Sequence, residues 1–534
     1  MTPLGSIGLA ELGDNHHTRH VTRMGFVLKS DDCIGCHACT VACKSEHDVP
    51  IGVNRTWVKY VETGSFPNTS RAFTVMRYNH CEDAPCMKIC PTSALYRADN
   101  GVVDFNDDDC IGCKSCMNAC PYDAIYINPE TNTAHKCNFC NHRVTNGQQP
   151  SCVVVCPTQA IVVGDLDDNA SEISRLVARD PMVVRSPEQG TNPKVYYRGA
   201  EQAALDPTRS TIAPDGMIWA DTTPSHSQLT PTMAATDPAA LVGRTAYTTA
   251  HAGTWKSKVS GYLVTKAIAA GVMLIAGLLS LTGHGEQANN TIGIVSPMVA
   301  GALLAVTGVL LIADLKQPKR FHYLLTRSNS ESWLVRGAWI LAAFAGLCAV
   351  WWIAGLAGAD GVIKVLALPT AIAAAATAGY TAFLFGQCEG RDLWQSPLLL
   401  PTLLAQTIVA GGAAYSILDV FMTIPAADTV RFVFLGGLAV LSLLLATELW
   451  SKGTRHVELA VAEMTRGAFA RRFWVGGILV GLIVPAIAAL VATQVTADSS
   501  SSVALGAVGG IAALVGLFCY EDAYVRAGQS VPLS

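Results

Sequence analysis

Charge is scarce in this chain. Only 15% of its 534 residues are Asp, Glu, Lys or Arg, against ~25% in an average soluble protein. Half the residues are apolar and the mean hydropathy is +0.33. That balance excludes a disordered chain and is a poor match for an ordinary soluble enzyme. It also gives no reason to expect a nucleic-acid partner. No Gly-rich dinucleotide fingerprint, Walker loop or catalytic triad can be read, so substrate chemistry is expected on a partner chain. Residues 1–30 place Glu11, Asp14 and three His before Arg23 and hold no apolar run long enough for a secretory signal. His16, His17 and His20 read as a solvated tail. After residue 250 the only His are His251, His284, His322 and His456, all in flanks or loops. A haem b relay inside the apolar half is therefore not expected.

The net charge of −4 averages two unlike halves. Residues 1–255 carry 20 basic and 27 acidic side chains, and residues 256–534 carry 17 and 14. Of 18 cysteines, 15 lie between Cys33 and Cys156. The others, Cys348, Cys388 and Cys519, read as small apolar fillers. The organisation expected is a tail over 1–23, a cysteine-rich domain over 24–200, a linker over 201–255 and an apolar domain over 256–534.

The cysteines fall in four runs. Cys33, Cys36, Cys39 and Cys43 form C-x2-C-x2-C-x3-C, and Cys110, Cys113, Cys116 and Cys120 repeat it before Pro121. Cys137, Cys140, Cys152 and Cys156 form C-x2-C-x11-C-x3-C, and Cys81, Cys86 and Cys90 form C-x4-C-x3-C. Three closely spaced thiolates can wrap three corners of an iron–sulfur cube, while the fourth, one helical turn on, faces a neighbouring cluster. Disulfides and zinc fit this pattern poorly. Asp107, Asp108 and Asp109 read as a solvated turn.

The strings CIGCHACTVACKSEH, NHCEDAPCMKICPTSAL, DDCIGCKSCMNACPYDAI and KCNFCNHRVTNGQQPSCVVVCPTQAI resemble the four-cluster ferredoxin subunits of complex iron–sulfur molybdoenzymes, such as dimethyl sulfoxide, polysulfide and sulfite systems. In that family the outer two runs pair and the middle two pair. The resemblance implies one [4Fe–4S] cluster on Cys33, Cys36, Cys39 and Cys156, a second on Cys43, Cys137, Cys140 and Cys152, and a third on Cys90, Cys110, Cys113 and Cys116. Where the family has a further Cys, this chain has Tyr78. Cys81, Cys86 and Cys120 remain, so a [3Fe–4S] cluster is expected there. A [4Fe–4S] cluster with an oxygen ligand, or an empty site, stays open.

Linker residues 201–250 are rich in Ala, Thr, Pro, Asp and Ser and read as a connector. Trp255, Lys256, Lys258 and Tyr262 mix aromatic and basic residues, as at a bilayer interface. Eight apolar segments follow, near 260–282, 292–314, 333–358, 362–387, 397–421, 430–450, 473–494 and 503–522, each long enough to span a membrane. The fold expected is thus an α+β ferredoxin-like iron–sulfur domain, built as two tandem bacterial-ferredoxin modules, fused to an all-α eight-helix transmembrane bundle. Loops on the ferredoxin side carry 11 basic residues: Lys316, Lys319, Arg320, Arg327, Arg391, Lys452, Arg455, Arg466, Arg471, Arg472 and Arg526. The far flanks carry Lys364 and Arg431. The positive-inside rule places the ferredoxin domain in the cytoplasm at a bacterial-type cytoplasmic membrane. Export on a twin-arginine partner, to the periplasm, is the alternative.

LIADLKQPKRFHYLLTRSNSESWLVRGAWIL, YTAFLFGQCEGRDLWQSPLLLP and VRAGQSVPLS resemble NrfD/polysulfide-reductase-type membrane anchors. That resemblance implies direct electron exchange between an iron–sulfur cluster and a quinone. Ionisable residues at membrane depth are the candidates for the quinone site: Asp314 first, then Lys266 and Glu448, with Tyr262, His251 and His322 weaker. Lys266 reads otherwise as snorkelling, and Asp314 as paired with Lys316 or Arg320. Asp419 is a candidate for a proton path. The two resemblances imply an electron-transfer subunit between a molybdenum or tungsten pterin catalytic subunit and the quinone pool. The rivals are a module resembling alternative complex III and a passive anchor.

Overall fold

The computed structural model describes residues 22–212, 242–249, 253–283, 289–451, 453–494 and 500–534. The tail histidines, His251, His284 and most of the expected linker lie outside the described residues.

The first domain is built around β1 (Met24–Lys29), flanked by antiparallel β8 (Ile161–Asp165) and parallel β9 (Val195–Arg198). Side-chain alternation gives β1 two buried faces. Phe26 and Leu28 pack with Cys39, Phe139 and Cys152, while Val27 meets Ile173 and Leu176 of the helix Glu172–Arg179. That helix is capped by Ser171, whose hydroxyl accepts from the Ser174 N–H at 3.2 Å.

A second sheet has the order β10-β11-β2-β3. Its core is the long hairpin of β2 (Thr56–Ser65) and β3 (Asn68–Arg77). β10 (Ser210–Ile212) and β11 (Gly243–Tyr247) come from the stretch expected as linker. β11 adds to the edge of β2, and β10 pairs parallel with β11. Both described ends of that stretch are therefore part of the ferredoxin domain, because backbone pairing fixes them despite their polar composition.

Two short hairpins, β4–β5 (Leu95–Arg97, Val103–Phe105) and β6–β7 (Ile125–Ile127, Ala134–Lys136), complete the domain. They follow the similar strings CPTSALY and CPYDAIY, as tandem modules require.

Among the described residues, eight helices are long and apolar enough to cross a membrane: Ser257–Leu281, Asn290–Asp314, Trp333–Leu356, Asp360–Gly386, Leu399–Leu418, Ala427–Trp450, Arg472–Gln494 and Ser500–Ser530. Their number is the number expected. The eighth runs on past the expected end at 522, through Arg526 to Ser530. Spans one to four pack as one antiparallel four-helix bundle and spans five to eight as another. The bundles meet where span one crosses span five. There a Cβ on Gly271 would stand 2.1 Å from the Thr407 carbonyl oxygen, and one on Gly411 would stand 2.4 Å from Gly271. Only glycine permits so close a crossing. Apolar side chains such as Val365, Phe432 and Leu443 point outward and exposed, as a lipid-facing surface does.

Candidate electron-transfer site

The fold gathers the fifteen thiols into four neighbourhoods. Cys33 sits beside both Cys156 and Cys36, and Cys39 lies with Cys33. Cys43 faces Cys137, Cys140 and Cys152. Cys90 faces Cys110, Cys113 and Cys116. Cys81, Cys86 and Cys120 lie together with Tyr78, whose hydroxyl is 2.9 Å from Cys86 Sγ. The neighbourhoods form a row. Cys39 touches the second through Cys152, Lys136 lies between Cys137 and Cys86, and Cys86 neighbours Cys116.

The local backbone repeats where the sequence repeats. Gly35 and His37 in the first run, and Gly112 and Lys114 in the third, all have positive φ. This left-handed backbone turns successive thiols toward one point. Backbone N–H groups also donate to sulfur: Ala134 to Cys110 Sγ and Ala160 to Cys156 Sγ, each at 3.3 Å. Burial pushes the Cys39 thiol up to about 11, and those of Cys81 and Cys113 up to about 12. These groups would be thiolates only beside a cation.

All the cysteines are free of disulfides. A single cavity is lined by Cys90, Cys110, Cys113 and Cys116 together. Among the described residues no three His, Cys, Asp or Glu converge on a point for one ion. That arrangement fits an iron–sulfur cube, whose thiolates bind separate irons, and does not fit zinc. The string Cys33-Ile34-Gly35-Cys36-His37 also spells the c-type haem attachment pattern. Its His37 ring packs instead on Tyr60 and Tyr247, with centroids 5.4 and 5.1 Å away.

Buried cations separate the neighbourhoods, and nothing in the cysteine spacing announces them. Arg77 is fully buried, stands 4.2 Å over the Phe26 ring, and neighbours Cys39, Cys137 and Cys152. The Lys136 ammonium stands 4.3 Å over the Tyr78 ring. Burial lowers it to about 8, with Asp104, Cys86 and Cys137 acting against that shift. Each cation directly adjoins a motif residue in sequence, Arg77 before Tyr78 and Lys136 before Cys137. That adjacency is the signal that could have found them.

The fourth neighbourhood, Cys90 with Cys110, Cys113 and Cys116, docks onto the spans. Trp255 is not at a bilayer interface. It is buried, donates from Nε1 to the Cys113 carbonyl at 3.3 Å, and stacks on Trp394 and Phe385. The loop after span two binds the same cysteine run through its backbone, Lys316 N–H to Gly112 O at 3.2 Å and Gln317 N–H to Ile111 O at 3.1 Å. Asn329 and Ser332 donate to the carbonyls of Cys90 and Ile89 at 2.9 and 2.7 Å. The Asp107–Asp109 turn is solvated at Asp108, which is 91% exposed, but is tied down on either side. Asp107 pairs with His135 at 2.8 Å, Asp109 with Arg327, and Arg320 donates to the Cys110 carbonyl at 2.9 Å.

Asp314 ends span two and pairs with Lys114 Nζ at 2.8 Å. Its partner comes from the ferredoxin domain, not from Lys316 or Arg320. Tyr262 is buried and neighbours Asp314, Tyr380, Cys388 and Glu521. Lys266 does not snorkel. It is 1% exposed, donates to the Thr381 hydroxyl and to the Ala378 carbonyl at 3.4 Å, and stands 4.4 Å over the Tyr380 ring. Glu448 faces Ser396 near the end of span six. His322 is exposed, set edge-on to Tyr323 and bonded to the Lys319 carbonyl at 3.1 Å. Asp419 follows the far end of span five. Glu521, which sequence reasoning missed, is buried opposite Lys266 and stands next to Asp522 at the end of the expected span.

The family model described as "4Fe-4S dicluster domain" matches residues 70–166, and the one described as "Polysulphide reductase, NrfD" matches residues 248–532. The chain is 45% identical over 179 residues to protein NrfC of Escherichia coli (strain K12), covering 33% of this chain and 79% of that protein. It is 44% identical over 186 residues to the thiosulfate reductase electron transfer subunit PhsB of Salmonella typhi, covering 34% of this chain and 95% of that protein. The arsenate respiratory reductase iron–sulfur subunit ArrB of Shewanella sp. (strain ANA-3) is 34% identical over 225 residues, 33% of this chain and 95% of that protein.

Proposed function

The chain belongs to the polysulphide reductase NrfD family and carries an iron–sulfur electron-transfer domain fused ahead of that membrane part; from this premise we propose that it moves electrons between a quinone and a catalytic partner subunit. The supporting observation is the docking of the Cys113 neighbourhood onto Trp255 and the Lys114–Asp314 pair.

Bound iron–sulfur clusters supply one-electron carriers. Three would be [4Fe–4S], and one, on Cys81, Cys86 and Cys120, would be [3Fe–4S]. The residues around them do the rest. Arg77 and Lys136 place positive charge between neighbourhoods, where an added electron is stabilised. Trp255 and its stacked partners exclude water from the exit. Tyr262 offers a donor for a quinone carbonyl, and Asp314 an acceptor for a quinol hydroxyl, at the ferredoxin-side end of the spans, with Lys266 behind them. The far end of the row, at Cys36, is the exposed one, and it would face the partner.

The relatives named for thiosulfate and arsenate reduction favour a partner with a molybdenum or tungsten pterin. The loop charges favour a ferredoxin domain on the cytoplasmic side of a bacterial-type inner membrane. Native purification with metal analysis tests the reading. Molybdenum or tungsten with a large soluble subunit is the expected result, and covalently bound haem in place of them would favour the alternative-complex-III-like reading.

A further inference from the structure

A cavity inside the membrane domain is lined by Lys266, Gln406, Thr407 and Glu521, closed by Leu263 and Leu517. Spans one, five and eight bring these residues together. Lys266 lies nine residues from the start of span one, and Glu521 nine from the end of span eight. At 1.5 Å per residue, both sit roughly 14 Å inside the ferredoxin-side helix ends, within the ferredoxin-side half of spans one and eight. They are 1% and 3% exposed.

Charge at that depth is costly unless paired, and it marks function. Lys266 and Glu521 are electrostatic partners. The Gln406 amide lies beside Glu521, toward which its Nε2 can donate, and is 2% exposed. The ammonium, the carboxylate and the amide give this cavity the polar partners that one ordered water needs.

Polar groups continue in both directions. Toward the ferredoxin-side loops, Tyr520 and Tyr524 neighbour both Glu521 and Glu448. Glu448 faces Ser396 and leaves Oε1 unbonded. Toward the docked thiols, Tyr262 neighbours both Glu521 and Asp314. The titratable groups facing the pair are therefore Tyr262 and Tyr380 from spans one and four, Glu448 from span six, and Tyr520 and Tyr524 from span eight.

We propose that Lys266 and Glu521 form a hydrated proton-holding station buried in the ferredoxin-side half of the membrane domain, exchanging protons with the ferredoxin-side surface through Glu448 and with the quinone pocket through Tyr262. The proposal rests on the quinone reading above. Reduction of a quinone to its quinol takes two electrons, arriving through the thiol-bound iron, and two protons. Glu521 passes on one proton at a time and is reloaded from Glu448 between transfers. In quinol oxidation the same groups accept the two protons released.

The test uses the whole complex in liposomes, treated with dicyclohexylcarbodiimide, which reacts with protonated carboxyls in apolar surroundings. Peptide mapping should place the adduct on Glu521. Labelling should be faster in Lys266→Met, where the carboxyl has lost its counter-charge and keeps its proton. In Glu521→Gln, turnover with decylubiquinone should fall at least about tenfold, with the quinone KM and the dithionite-reduced EPR spectrum unchanged. Glu521→Asp should recover part of the rate. Three outcomes overturn the station: no label on Glu521 in either protein, a wild-type rate and pH profile in Glu521→Gln, or a raised KM with unchanged kcat, which would make Glu521 a quinone ligand. Failure of the quinone reading itself shows separately. Wild-type clusters would then not exchange electrons with decylubiquinone at all, while the labelling still reports on the pair.

Discussion

The Tyr78 hydroxyl lies 2.9 Å from the Cys86 sulfur, within the neighbourhood that has three thiols where the others have four. A phenol there fills the space of the missing thiol and can hydrogen-bond to sulfur. Tyr78→Cys should convert a [3Fe–4S] EPR signal in the oxidised protein into a [4Fe–4S] signal in the reduced protein, and add one iron per chain. Tyr78→Phe should keep the [3Fe–4S] signal with a shifted midpoint potential, since hydrogen bonds to sulfur tune it. An oxidised wild-type protein without a [3Fe–4S] signal would refute this assignment.

Lys114 and Asp314 form a mostly buried pair across the two domains, 8% and 17% exposed. Removing one partner of such a pair leaves a buried charge, at a cost of up to about 3–5 kcal/mol when burial is complete. Asp314→Asn should reduce quinone turnover at least about tenfold, while the dithionite-reduced cluster spectrum stays unchanged. Steady-state rates beside EPR spectra check this.

Gly390 packs against the cysteine domain so closely that an added Cβ would stand 2.7 Å from the Cys120 carbonyl oxygen and 2.9 Å from that of Asn118. Both obstacles are backbone and cannot swing aside. Gly390→Ala should cost about 1–3 kcal/mol of overpacking strain. It should loosen the docked domain, read as faster proteolysis between the two halves. Gly386, with open space around its Cβ position, should tolerate the same change.

Glu46 accepts from Ser151 at 2.5 Å, pairs with His142 at 2.7 Å, and binds Arg143 at 3.1 Å. The Ser151 hydrogen bond first, then that from His142, lowers its carboxyl to about 2. A carboxyl lowered in the folded state adds stability that is fully present above its unfolded value near 4.5. That contribution is lost as pH falls through about 2. Glu46→Gln should therefore lower the temperature at which the visible iron–sulfur absorption bleaches at pH 7, and the gap to wild type should shrink as pH falls from about 4.5 toward 2.

Local sequence carried much of this architecture. Cysteine spacing announced the thiol runs, and hydropathy announced eight spans. Both are short-range signals, set by a helical turn or by the thickness of a membrane. The long-range pairings were not legible. Lys114 and Asp314 are 200 residues apart, and neither position states its partner. Trp255 looks like an interface aromatic because its neighbours in sequence are basic. Its neighbours in space are Cys113, Trp394 and Phe385. β10 and β11 were read as linker because their pairing is made by backbone, which polar composition does not reveal. Glu521 is not legible as a partner of Lys266, because it sits beside Asp522 at the end of an apolar window, where carboxylates are ordinary.

The most direct test of the account is anaerobic. The clusters of the purified complex are reduced with dithionite, the excess is removed, and decylubiquinone is added while EPR follows the iron–sulfur signals. Reoxidation of the clusters by the quinone, slowed in Asp314→Asn, is the predicted result. Clusters that stay reduced in the wild-type protein would contradict it, and would leave the membrane half as an anchor without a quinone site.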